Sequence, residues 1–381
     1  MFVGVAEASA ALSRAQYCHQ AASLLEQLSP EGNHMTRLQC VTTICGLCIG
    51  LAACGDPSAV APTEPGTMAP TASTAAAAVS ALTFNGTWRT MPSLQPARWR
   101  HAAEVLGKAI VVVGGLSGDE RHALSRVDAY NVDTRTWTAL ADLPVPLYDA
   151  NGATTINNSK LYVAGGQSTA TSAGGSCLKT LFVYDPATNS WTRKADMPER
   201  GCIGVQANVL GKLYVYTHTR SPGDPHLFAS YNPKTNKWVR LPSPKRGHFA
   251  YPVAGAINGK FYLTSGQGEP FADRTLEVYD PATRTWTTKS PMPTARAVAS
   301  AAVVHGKLFV AGGVVDRNGV AASTDLVEAY DPLSDTWATG PSLPTARGHA
   351  AAVWAGGKFF VIDGIADGSL SSRVEALSTA Y

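Results

Sequence analysis

Six tryptophans, Trp88, Trp137, Trp191, Trp238, Trp286 and Trp337, recur at spacings of 49, 54, 47, 48 and 51 residues, and five of them close one phrase. That phrase is Tyr, then Asp or Asn, then five residues, then Trp: Tyr130 to Trp137, Tyr184 to Trp191, Tyr231 to Trp238, Tyr279 to Trp286 and Tyr330 to Trp337. A period near 50 residues marks a repeat architecture in which each unit buries its face against its neighbours. The repeating part of the chain must therefore fold as one assembly of units.

Upstream of each phrase lies a short apolar run ending in small residues: AIVVVGG (109–115), LYVAGG (161–166), LYVYTH (213–218), FYLTSG (261–266), LFVAGG (308–313) and FFVIDG (359–364). Runs of this length, rich in Val, Phe, Tyr and Leu and bounded by Gly, predict buried strands, since helices need longer stretches with a 3.6 period. A glycine pair after a strand suits a backbone that bends sharply or approaches another segment closely.

Double glycine, Tyr-Asp and Trp in units of this length resemble the kelch repeat, over residues 83–381. The resemblance implies an all-β fold, a six-bladed propeller of four-stranded blades around a central channel. In each blade, strand A would be innermost, as from His349 to Ala355; strand B would end in the glycines, strand C at the Tyr, and strand D would hold the Trp. The sixth unit stops at Tyr381 after its strand C (Arg373 to Thr379) and has no Trp of its own, while Trp88, in Thr83–Thr90, is surplus. The N-terminal strand is thus expected to supply strand D of the last blade, removing two open sheet edges.

The start of the chain carries an address. Residues 1–34 fit no targeting pattern, and a start codon placed too early, with Met35 the true initiator, accounts for them. Residues 35–53 hold Arg37, an apolar stretch too short to span a membrane, and then Leu51-Ala52-Ala53-Cys54, the layout of a secretion signal. Those last four residues resemble a bacterial lipobox, which implies cleavage before Cys54 and lipid on its thiol. The chain is accordingly expected to be exported and lipid-anchored to the cell envelope, touching membrane only through that anchor. Residues 54–82, rich in Pro, Ala and Thr, read as a disordered tether.

Of seven cysteines, only Cys177 and Cys202 lie in the repeats. They fall in the B–C loop of unit 2 and at the start of strand A of unit 3, on one rim, where either a disulfide or two buried thiols fits. A net charge of +3 is too mild for a nucleic-acid surface, which needs a concentrated basic stripe.

The rim of D–A and B–C loops carries the candidate site. Five of six D–A corners hold Arg: Arg98 or Arg100, then Arg200, Arg246, Arg296 and Arg347. A ring of guanidiniums would hold carboxylates or phosphates; alternatively each Arg packs against the next blade and bonds loop carbonyls. His101, His248 and His349 begin strand A in units 1, 4 and 6, as inter-blade contacts or, with no recurring carboxylate beside them, a poor metal set. No nucleophile-base pair, phosphate loop or metal-ligand spacing stands out, so neither cofactor nor metal is expected. The leading expectation is a protein or carbohydrate partner, anionic if the Arg ring holds it. The alternative is an enzyme on the same rim, since the kelch family includes sialic acid mutarotases, with Glu199, Glu269 and Asp149 as positional candidates for an acid or base; a structural envelope protein is the third. The opposite rim, where every A–B hairpin ends in Lys, reads as scaffolding with solvated lysines.

Overall fold

The computed structural model describes residues 85–118, 122–150, 152–168, 176–218, 226–245, 250–267 and 272–380, all within one compact unit, Ala76–Tyr381. Among the described residues every regular element is a strand. Six sheets have four antiparallel strands each. The fifth is typical: Ser300–Val304, Lys307–Ala311, Val327–Asp331 and Thr336–Thr339, paired in chain order. The last takes Ala351–Ala355, Lys358–Ile362 and Val374–Ala380 from the C-terminus and Asn85–Met91 from the N-terminus. In that sheet Trp88 lies opposite Leu377, the register place where the other sheets set Trp opposite Tyr.

Apolar strands fix the packing. Six clusters of buried side chains each join two consecutive sheets. One of them joins the last to the first, with Val353, Phe360, Ile362 and Val374 against Ile110, Val112 and Tyr130. The tryptophans bolt the outer strands together. Each indole N–H donates to a carbonyl at the end of the preceding sheet's outer strand: Trp137 to Pro92, Trp191 to Ala141, Trp238 to Ala195, Trp286 to Pro242 and Trp337 to Ser290. Trp88 does the same to Pro341 at 3.1 Å, acting as the sixth of the series.

The double glycines serve close approach between repeats. The second glycine's N–H donates to the corner carbonyl of the next repeat: Gly115 to Leu147, Gly166 to Gly201, Gly313 to Arg347 and, from the last repeat to the first, Gly364 to Arg98. In the fifth repeat the first glycine has no room for a side chain; a Cβ on Gly312 would lie 2.3 Å from the Arg347 carbonyl oxygen, and its φ is +61°.

Three details differ from the sequence reading. The innermost strand of the last repeat begins at Ala351, because His349 takes φ +55° and its N–H turns to the Val298 carbonyl. The B–C loops contain short hairpins, such as Val314–Arg317 with Val320–Ser323, whose sequence lacks a long apolar run. The hairpin lysines are not simply solvated: Lys108, Lys160, Lys260 and Lys307 pair with Asp133, Asp185, Asp280 and Asp331 of the C–D turns. Such solvent-screened surface pairs contribute little to stability.

Candidate functional site

The hydrogen bonds from the glycines set a register that the sequence alone left ambiguous. Among the described residues the corner residue is Arg98, Leu147, Gly201, Arg296 or Arg347, so three of the described arginines share one position. Those three are fully buried. Arg98 pairs with Asp128, Arg296 with Glu328 at 2.7 Å, and Arg347 with Glu375, all with buried carboxylates from strand C. Their terminal nitrogens also donate to backbone carbonyls: Arg98 to Gly114 and Arg126, Arg296 to Leu326 and Val310, Arg347 to Arg373. Burial holds all three guanidiniums below their ordinary pKa, Arg296 down to about 10, with the paired acid opposing the shift.

Arg296 and Arg347 are therefore struts, and the expected cationic ring does not form at these positions. In repeats 1, 5 and 6 an acid two residues before the Tyr position accompanies the corner Arg; repeats 2 and 3 have neither, with Leu147 and Phe182 in one and Gly201 and Ala229 in the other, and repeat 4 carries the buried acid Glu277. A buried Arg without such an acid would be an uncompensated charge.

Two residues beyond each corner the backbone turns left-handed. Arg100, Asp149, Ile203, Tyr251, Val298 and His349, one per repeat, all have φ between +47° and +77°. Bulky and β-branched residues there are unusual, and a site with six of them is held by its surroundings. Backbone bonds link neighbouring members: His349 N–H to Val298 O, Arg100 N–H to His349 O, Asp149 N–H to Arg100 O, and Ile203 N–H to Asp149 O at 3.4 Å.

Five of these six, all but Ile203, border one end of a cavity of about 630 Å³, lined below by the innermost strands. Arg100 donates to Asp149 at 3.0 Å, and its guanidinium stands 4.5 Å from the Trp99 ring centre and 5.2 Å from that of Tyr251. His349 meets both aromatic rings edge-on at 5.1 Å. Asp149 also accepts from Gln167 at 2.8 Å, and Gln167 in turn accepts from the Tyr148 hydroxyl. Burial, then the Arg100 charge, pushes the His349 imidazole down to about 3, so it is neutral at physiological pH. His101, beside the cavity, falls to about 3 by burial and then the Arg98 charge. Deeper in, burial lifts Glu104 to about 7.

The other sequence candidates scatter. Arg200 is exposed and donates to the Cys177 carbonyl, and Glu199 pairs with Arg240 at the surface. Cys177 and Cys202 are joined in a disulfide, Cα atoms 5.0 Å apart. Arg246, His248, Glu269 and Cys54 lie outside the described residues. Among the described residues no group of three or more His, Cys, Asp and Glu could hold a metal ion.

Sheets of this pairing, with tryptophans and glycines binding each repeat to the next, are a β-propeller of kelch repeats. The Kelch motif matches residues 97–144, 150–198, 248–293 and 295–344, about half the chain, and the chain belongs to the kelch-repeat family. It is 31% identical over 294 residues to Kelch-like protein terF of Aspergillus terreus, spanning 71% of this chain and 63% of that protein. It is 26% identical over 291 residues to Kelch-like protein 36 of Rattus norvegicus, spanning 74% of this chain and 46% of that one. The chain thus spans less than two thirds of these relatives' lengths. The solved structure of YjhT superposes with a TM-score of 0.64 at 17% identity, covering 76% of this chain and 99% of that one, a likeness of fold.

Proposed function

We propose that the six sheets are the blades of one closed propeller, and that a protein or carbohydrate partner binds at the mouth bordered by Arg100, Asp149, Tyr251 and His349. The observation that carries this reading is the cluster itself: Trp99, Arg100, Tyr251 and His349 are half-buried, hold one another, and stand on a strained backbone at the end of a cavity. Preorganised aromatic and arginine groups are what interfaces use as anchors. Native mass spectrometry of the purified chain tests it. A sugar or peptide should remain on the wild type and be lost from Arg100→Ala; equal retention by both would remove the mouth from consideration.

A second reading, mutarotation of a sugar at the same mouth, is supported by the carboxylate of Asp149 and the neutral imidazole of His349 beside the cavity, since opening and reclosing a sugar ring needs an acid and a base.

The chain is further proposed to be exported and lipid-anchored through Cys54. The Arg37-to-Cys54 layout supports this, and a disulfide is at home in an oxidising compartment. Radiolabelled palmitate fed to a bacterial host should enter the wild type and not Cys54→Ser. Equal labelling of the two would end this proposal.

One buried acid gives a prediction on stability. Asp363 replaces the first glycine of its pair, is fully buried, and accepts from the Arg98 N–H at 3.1 Å. Burial outweighs the nearby Arg98 and Arg347 charges and lifts it to about 8. The folded chain therefore keeps a proton that the unfolded chain releases near pH 4, so stability should fall as pH rises from about 4 to about 8. Asp363→Asn removes this dependence and tolerates φ +51°. Melting curves should show the variant gaining over wild type as pH rises, by a few kcal/mol at about 1.4 per pKa unit; a constant difference across pH would show that Asp363 is ionised.

A further inference from the structure

We propose that the ligand of the mouth is an uncharged, hydroxyl-rich molecule, a neutral sugar, and not an anion; this rests on the reading of the mouth as the binding site. Arg100 is the cation of the half-buried cluster, and Asp149 already neutralises it at 3.0 Å. The imidazoles of His349 and His101 are neutral, and the corner arginines are buried in pairs of their own. Arg200 is exposed to water, where its charge is screened.

An anion entering this cluster would leave water without gaining an unopposed cation, and it would meet the Asp149 carboxylate. Burying that charge is far more costly than burying a hydroxyl, which can both donate and accept. Planar polar groups held in place, Arg100 and Asp149, suit adjacent hydroxyls. The partly exposed rings of Trp99, Tyr251 and His349 suit the apolar face of a pyranose. The same chemistry turns the mutarotation reading away from sugar acids and toward neutral aldoses.

Pairs of sugars differing in charge test this: galactose against galacturonate, glucose against glucuronate, and the oligomers of each, titrated calorimetrically into the full chain at low and high salt. The neutral member of at least one pair should bind at least about tenfold tighter than its acid, with a Kd that salt barely moves. Tyr251→Ala should weaken it about tenfold. Asp149→Asn, which leaves Arg100 unopposed and keeps a residue that accepts positive φ, should reverse the preference toward the acid and make binding salt-sensitive. Tighter, salt-sensitive binding of the acids by wild type overturns the inference while leaving the mouth as the site. Binding of neutral sugars that Tyr251→Ala and Asp149→Asn leave unchanged, or no sugar binding at all, overturns it too. If Arg100→Ala also keeps whatever co-purifies with the chain, the reading of the mouth fails with it.

Discussion

Arg347→Ala should lower the stability of the propeller by about 3–5 kcal/mol, the usual result of removing one partner of a buried ion pair. The loss leaves the Glu375 carboxylate, itself fully buried, without its cation, and frees the Arg373 carbonyl that accepts from the same guanidinium at 3.0 Å. Urea unfolding measures it directly. Arg347→Met combined with Glu375→Leu should recover much of the loss, because the cost lies in the orphaned charge and not in the missing attraction. A double variant as unstable as the single one would mean that the side chains' shape, not their charge, holds the corner. Arg98 and Arg296, in the same position with Asp128 and Glu328, should behave alike.

Removing residues 83–92 should be comparably damaging. This segment contains the strand that pairs with Val374–Ala380 over seven residues, and it carries Trp88, which packs edge-on against Phe359 and donates to Pro341. Trp88 is half-buried, so its loss costs less than the about 3–5 kcal/mol of a fully buried Trp, but the deletion also bares the edge of the last sheet. Removing residues 55–80 should leave the melting temperature of the propeller almost unchanged. Truncations that melt alike would contradict the role given to the N-terminal strand.

The repeat, the strands and the pairing of the first strand with the last were legible because the signals are strong and local: a Trp at a fixed place, apolar runs, a glycine pair. The mouth was not. Residue type alone groups Arg98, Arg100 and Arg200 although they occupy different positions. Register follows from the carbonyl that each glycine N–H meets, a contact between repeats that no single unit displays. Once register is fixed, the acid two residues before the Tyr marks a corner Arg as structural. The mouth residues share no side-chain type at all, from Val298 to Arg100; what they share is a left-handed backbone, which a sequence hides. Asp149 could be named as a candidate acid, but its direct pairing with Arg100 and the Gln167 amide that also donates to it, from the start of a B–C loop, are announced by no apolar pattern.

The separation of struts from mouth is tested most directly by measuring melting temperature and partner binding together on Tyr251→Ala and Arg347→Ala, with arrays of glycans and peptides as the source of partners. Tyr251→Ala should melt close to wild type, since Tyr251 is half-buried and held at φ +62°, yet lose its array binding. Arg347→Ala should melt well below wild type and, at a temperature where it is folded, keep that binding. Full binding by Tyr251→Ala, or loss of binding by folded Arg347→Ala, would contradict the account.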